Sequence, residues 1–74
     1  MQDVVVWVTK LPDKDVPGLE GVGQEVRNLK YVSEVEVSVT GSAIHVSFEG
    51  DKAEQEEIER TIRKAGYDIF KVSR

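Results

Sequence analysis

The sequence predicts an α+β fold in which a four-stranded antiparallel sheet carries two helices on one face. The chain has 74 residues, of which 39% are hydrophobic and 32% charged, as expected of one small compact domain over residues 1–74. Four segments have the composition or alternation of strands, and two others have apolar residues at helical spacing. These segments follow one another in the order β-α-β-β-α-β, which is the order of the ferredoxin-like sandwich.

The first strand is predicted at Asp3 to Lys10, a segment rich in valine and other strand-forming residues. A period of two gives one side of the strand Val4, Val6 and Val8, and the other side Val5, Trp7 and Thr9. Apolar residues on both sides are typical of a strand in the middle of a sheet. The segment Leu11 to Asp15 contains a proline, breaks the pattern and is predicted to be a loop.

The first helix is indicated by an apolar stripe made of Leu19, Val22, Val26 and Leu29. Asp15 or a residue beside it is expected to cap the helix start, and Pro17 is tolerated in a first turn. Three glycines between positions 18 and 23 oppose the helix, each by about 1 kcal/mol relative to Ala. We therefore expect a helix that is frayed at its start and firm from Val22 to Leu29.

A β-hairpin is predicted by two alternating segments, Val32 to Val39 and Ile44 to Phe48. Between them, Gly41-Ser42 suits a two-residue type II′ turn, because that turn needs a positive φ at its first central residue.

The second helix is predicted to begin at Asp51, because Asp51 and Glu54 have the spacing of a capping box. Gly66 lies where a helix-ending glycine is expected, and Asp68 to Val72 is predicted to form a short last strand. Between these ends lie an apolar stripe of Ile58, Ile62 and Ala65 and two i,i+4 ion pairs, Glu56–Arg60 and Glu59–Arg63.

Composition excludes several classes of function. The chain has no cysteine, and therefore no disulfide, thiolate metal site or thiol catalysis. Its 14 acidic residues exceed its 10 basic ones and give a net charge of -4, which disfavours nucleic acid and anionic membranes as partners. The longest apolar run, Val4 to Val8, is far shorter than the roughly 20 residues that span a bilayer. The first residues lack the pattern of a secretion signal, so the sequence assigns no compartment.

Three segments resemble the heavy-metal-associated domain family: Val32 to Val37, Ala43 to Phe48, and Ala65-Gly66-Tyr67. Within that family the match is best with the periplasmic mercuric-ion-binding proteins, and it extends without a gap over nearly the whole chain. The resemblance implies a ferredoxin-like fold, transfer of a soft metal ion between thiolates, and a periplasmic address. The matched apolar positions are those of the family's core: Val22, Val35, Val37, Val46, Phe48, Ala65 and Tyr67.

The family's metal-binding motif, Gly-Met-Thr-Cys-x-x-Cys, is replaced in this chain. In the register of the resemblance the motif falls on residues 12–18, so that Asp15 and Gly18 occupy the two cysteine positions. One carboxylate and a residue without a side chain do not replace two soft sulfur ligands for mercury or copper. We therefore expect no metal site, no cofactor and no thiolate-dependent ion transfer.

Two further groups of residues could bind a cation or take part in catalysis, but each is better explained as an ordinary surface feature. Asp13 and Asp15 share a short loop, but a calcium site needs about six to eight oxygen ligands and no such run is present. His45 is the only histidine and is predicted mid-strand on the face away from the helices, near Trp7 or the glutamates of the neighbouring strand. It lacks a nucleophile and a cleft, so we expect a partly exposed strand residue and no enzyme.

The face away from the helices offers an alternative function, that of a protein-interaction module. The predicted apolar patch on this face contains Trp7, Val5 and either Phe70 or Val72. Such a patch favours a weak protein contact or self-association. Glu34 and Glu36 are predicted on the same face, so RNA is disfavoured.

A second alternative is a hydrolase. Gly18 to Gly23 followed by Arg27 resembles the glycine-rich loop and arginine of acylphosphatases, which share the ferredoxin-like fold, and glycine amides at a helix start bind anions. That family places its arginine almost directly after the glycines, whereas Gln24 and Glu25 intervene here. Its strand asparagine has no obvious counterpart, although Asn28 lies on the same helix.

The chain keeps the positions that define the family's backbone while its functional motif is replaced. Dense surface charge, i,i+4 ion pairs and a Gly-Ser turn are what selection of a sequence for a fold produces. We therefore hypothesise a computationally designed, soluble, monomeric domain whose purpose is the fold itself. The three glycines of the first helix count against an idealised design.

Overall fold

The computed structural model describes residues 2–11 and 18–73 and contains the six predicted elements in the predicted order. The strands form one antiparallel sheet with the order β2-β3-β1-β4. The ferredoxin-like prediction is therefore confirmed. Across this part of the chain, no helix has both the length and the apolar character needed to cross a membrane. The elements are β1 (Gln2–Lys10), α1 (Leu19–Arg27), β2 (Val32–Ser38), β3 (Ala43–Phe48), α2 (Lys52–Lys64) and β4 (Tyr67–Ser73).

The hydrophobic core lies between the two helices and one face of the sheet. It is built from alternate residues of the strands and from one stripe of each helix, as the periodicities predict. Each fully buried aliphatic or aromatic side chain contributes roughly 1.5–3 kcal/mol to the free energy of unfolding. The largest side chains with no more than 1% exposure are Phe48, Ile44, Ile58, Ile62, Val4, Val6, Val8, Val22, Val26 and Val46.

Helix α1 ends earlier than predicted. It begins at Leu19 with Gly18 as the N-cap residue, and no side chain of the described residues caps it. The expected cap, Asp15 or a residue beside it, lies outside the described residues. The predicted end at Leu29 is wrong by two residues. The amide of Asn28 donates to the Gln24 carbonyl, and the chain turns towards β2 after Arg27.

The turn of the β2–β3 hairpin is not the predicted type II′ turn. Ser38 pairs with Ala43, so four residues rather than two connect the strands. The positive φ falls on Ser42, at 55°, and not on Gly41. Two hydrogen bonds form within this loop: the Gly41 amide donates to Ser38 Oγ at 3.1 Å, and the Ser42 amide donates to the Val39 carbonyl at 3.3 Å. The Val8 amide of β1 also donates to the Ser42 carbonyl, at 2.9 Å. The serine side chain before the loop therefore supports a longer turn than the Gly-Ser pair alone predicts.

The ends of α2 are confirmed. The Asp51 amide donates to Glu54 Oε1 at 2.7 Å, which is one arm of the predicted capping box. At the other end Gly66 has a φ of 103°, a conformation that glycine adopts without strain, and its amide donates to the Arg63 carbonyl.

Each edge of the sheet carries an irregularity. Ser33 is skipped in the pairing of β2 with β3, and Phe70 is skipped in the pairing of β4 with β1. Such bulges increase the local twist of an edge strand and oppose its pairing with another chain.

Candidate functional site

The segment 12–18, on which the resemblance puts the family's metal motif, is described only at its last residue, Gly18. Asp13 and Asp15, the two carboxylates considered for a cation, lie outside the described residues. The Gly18 carbonyl accepts hydrogen bonds from the amides of Gly21 (2.9 Å) and Val22 (3.2 Å), so it serves to start α1. Among the described residues, a Cβ atom at position 18 would meet no atom within 4 Å apart from its chain neighbours. The position therefore supplies no side-chain ligand but has room for one.

The structure places Arg27 beside Gly23, with which it lines a small cavity, but far from Gly18 at the start of the glycine-rich segment. Gly18 caps the start of α1 and Arg27 is its last residue, which separates them by about 13 Å along the helix axis. The Arg27 guanidinium Nη2 donates to the Val35 carbonyl at 3.0 Å, on the outer edge of β2. Asn28 is the C-cap residue of α1. Neither side chain lies at the helix start, where a phosphate would bind.

The sheet face turned away from the helices is here called the open face. Its members follow from the register, because residues directly opposite each other on paired strands share a face and Val4, Val6 and Val8 face the core. Among the described residues it comprises Asp3, Val5, Trp7 and Thr9 of β1, Glu34, Glu36 and Ser38 of β2, Ala43, His45 and Ser47 of β3, and Asp68, Lys71 and Ser73 of β4.

His45 lies on the open face between two carboxylates. Its Nε2 is 3.4 Å from Asp3 Oδ1, and its Nδ1 is 3.7 Å from Glu36 Oε2. Ser47 Oγ also donates to Asp3 Oδ1, at 2.5 Å. The predicted approach of His45 to Glu36 is confirmed. Because the two ring nitrogens face different carboxylates, the three groups do not converge on one point.

No metal centre emerges from this arrangement or elsewhere in residues 2–11 and 18–73. Within those ranges, no three or more His, Asp or Glu side chains are placed together to hold a metal ion.

Trp7 is half-buried on the open face. The Nζ atom of Lys71 lies 4.9 Å from the centre of its ring, a cation–π contact between β1 and β4. Of the two residues considered for the Trp7 patch, Phe70 or Val72, the structure rules out Val72, because it pairs with the core residue Val6 and so lies on the other face of the sheet. Phe70 is 63% exposed at the bulge of β4.

Sequence reasoning missed a groove of about 530 Å³ between the ends of the two helices. Its lining is mixed, with Leu29 and Ala65 beside the charged Glu25 and Lys64. The Thr61 hydroxyl in this groove donates to the Glu57 carbonyl at 2.9 Å and is thereby committed to the helix backbone. No pattern in the sequence indicates this groove, since it depends on where both helices end.

Two solved structures of known proteins have a similar fold. The structure is similar to the yeast copper transporter domain Ccc2a, with a TM-score of 0.76 and 17% identity over 93% of this chain and 92% of that one. It is also similar to a copper-binding domain from HMA7, a P-type ATPase, with a TM-score of 0.74 and 20% identity over the whole of both chains. No family model and no curated protein matches the chain.

These similarities support the heavy-metal-associated fold predicted from the sequence. Copper binding is a property of the two solved domains. At 17–20% identity the likeness concerns the arrangement of the backbone, and the chemistry of this chain follows from its own residues.

Proposed function

We propose that this chain is a metal-free domain on the heavy-metal-associated backbone, without catalytic or thiolate metal-binding activity. We also propose that it was computationally designed, with the fold itself as its purpose and a mercuric-ion-binding protein as the backbone it follows. The observation that carries the proposal is the pair Asp15 and Gly18 at the two positions where the family has cysteines, in a chain with no cysteine at all.

The chemistry of soft metal ions supports this proposal. Cu⁺ and Hg²⁺ select thiolate ligands, whereas Asp15 offers a hard carboxylate and Gly18 no side chain. The Gly18 carbonyl is further occupied by two amides of α1. No pair of ligands that could pass a soft ion by thiolate exchange remains.

Features that favour a designed origin lie at the ends and on the surface of α2. The Asp51–Glu54 contact, the Arg63–Glu59 ion pair at 3.8 Å and Gly66 at a positive φ all agree with the same helix boundaries. The glycines of α1 count less against a design than the sequence alone suggests, because Gly23 is required by close packing. A Cβ there would lie 2.7 Å from Val37 Cγ2.

Restoring the two cysteines tests the proposal. We expect the double variant Asp15→Cys/Gly18→Cys to bind one Cu⁺ or Hg²⁺ per chain, because the backbone then presents two thiolates at the family's spacing. The unchanged chain is expected to bind neither ion. Isothermal titration calorimetry under reducing, anaerobic conditions measures both, and circular dichroism verifies that the variant is folded.

The single variant Asp15→Cys is the matched control, and it is expected to bind much more weakly because one thiolate remains. Stoichiometric binding of Cu⁺ by the unchanged chain would contradict the proposed absence of a site. Failure of the folded double variant to bind would show that residues 12–18 are not in the family's register. A natural gene that encodes this chain, with close relatives, would overturn the designed origin.

A further inference from the structure

The open face combines an apolar centre with an acidic surround. Val5 and Trp7 are half-buried, and Ala43 lies directly opposite Trp7 in the register. Beside them is a shallow depression of about 260 Å³ whose lining includes Val5, Ala43, Glu36 and His45. The surface is thus shaped to receive a side chain with an apolar stem and a polar end.

Trp7 already receives a cation from its own chain. Lys71 Nζ lies 4.9 Å from the ring centre, within the range of a cation–π contact. One face of the indole is therefore accessible to an ammonium or guanidinium group, and Lys71 occupies a place that a partner's Lys or Arg would compete for.

The charge on the open face selects the kind of partner. Among the described residues of this face, the carboxylates are Asp3, Glu34, Glu36 and Asp68, and the one lysine is Lys71. The side chains of Asp3 and Glu36 are 61% and 76% exposed. A second copy of the chain would bring like charges together, and nucleic acid would be repelled for the same reason. A basic partner gains from both the carboxylates and the ring.

We infer that the open face is a docking surface for an extended, Lys- or Arg-rich peptide segment. Basic side chains of that segment contact the carboxylates of β1 and β2 and stack on Trp7 in place of Lys71. This inference goes beyond the proposed function, which assigns the chain no metal and no reaction, and its outcome is independent of any metal titration.

The size of the face sets the expected strength of docking. Four strands of six to nine residues, spaced about 4.8 Å apart and rising about 3.3 Å per residue, give a face of roughly 450 Å². Stable interfaces bury about 800 Å² on each partner, so the complex is expected to be weak and transient. Because exposed charges contribute most of the attraction, binding is expected to weaken as added salt screens those charges.

The emission of Trp7, the only tryptophan in the chain, measures docking directly. An arginine octapeptide is expected to change this emission in a saturable manner, whereas a glutamate octapeptide leaves it unchanged. Raising the ionic strength from about 0.05 M to about 0.5 M is expected to weaken the binding at least about tenfold. Absence of a saturable change at low salt would overturn the inference, as would equal binding of both peptides.

Matched variants separate docking on the open face from a general effect of net charge. Glu36→Gln is expected to weaken binding about threefold to fivefold, and Glu56→Gln, which makes the same charge change on α2, to leave it unchanged. Lys71→Gln is expected to strengthen binding more than Lys52→Gln does. The inference would be overturned if Glu36→Gln and Glu56→Gln changed peptide binding equally, or if Lys71→Gln and Lys52→Gln did. So would emission that depends on protein concentration without peptide, since that result indicates self-association.

Discussion

Tyr31 shows how one buried hydroxyl couples the fold to pH. It lies between α1 and β2 and packs against the core, and its hydroxyl has no hydrogen-bond partner of good geometry among the described residues. Burial of the hydroxyl, followed by the nearby negative charge of Glu57, raises the pKa of Tyr31 from 10.0 to about 12. The native state therefore holds this proton more tightly than the unfolded chain does.

The free energy of unfolding is expected to depend on Tyr31 at high pH. Because its pKa is raised on folding, the stabilisation is fully present below pH 10 and is lost as the pH rises through about 12. Between about pH 10 and about pH 12, we expect the free energy of unfolding to fall by on the order of 1–2 kcal/mol more in the unchanged chain than in the Tyr31→Phe variant. Urea unfolding of both proteins at several pH values measures the difference. Parallel loss of stability in the two proteins would contradict this explanation.

Close packing between α1 and β2 explains why a glycine lies inside α1. Gly23 is buried, and a Cβ at this position would lie 2.7 Å from Val37 Cγ2 and 3.6 Å from Val35 Cγ1. Alanine gains about 1 kcal/mol of helix propensity, but relieving the overlap with a stiff β-branched side chain costs about 1–3 kcal/mol. Close packing therefore outweighs propensity at this position.

Gly23→Ala is expected to destabilise the native chain by about 1 kcal/mol, since the cost of overlap exceeds the gain in propensity. In the Val37→Ala background the overlap is removed, and the same substitution is expected to stabilise by up to about 1 kcal/mol. A double-mutant cycle by urea unfolding measures this change of sign. Stabilisation in both backgrounds would show that α1 is not packed so closely on β2.

The elements could be predicted from the sequence wherever one pattern dominates. Alternation predicted β2 and β3, strand-forming composition predicted β1, and Asp51 with Gly66 predicted the limits of α2. The prediction of the hairpin turn was wrong because the loop is held by two contacts that the Gly-Ser pair does not reveal. Ser38 Oγ accepts from the Gly41 amide, and the Val8 amide of β1 donates to the carbonyl of Ser42, the residue with the positive φ. The bulge at Phe70 was also missed, since it depends on the register between β1 and β4.

For the candidate metal site, the sequence alone predicts that the two cysteine ligands of the family's motif are replaced. The absence of cysteine is a chemical fact of the chain, and the positions of Asp15 and Gly18 follow from the resemblance to the family. The separation of Gly18 from Arg27, the pairing of Lys71 with Trp7 and the groove between the helix ends all required the folded structure. These features depend on how elements distant in the sequence come together.

At the scale of the whole molecule, a backbone like that of heavy-metal-associated domains folds here from a chain with no cysteine, and we propose that it binds no soft metal ion. The most direct test is a two-dimensional ¹⁵N–¹H NMR spectrum of the unchanged chain, titrated with Cu⁺ and Hg²⁺. We expect well-dispersed amide signals that do not move as either ion is added. Saturable shifts centred on residues 12–18 would contradict the central claim, because they would show that the loop still binds a soft metal ion.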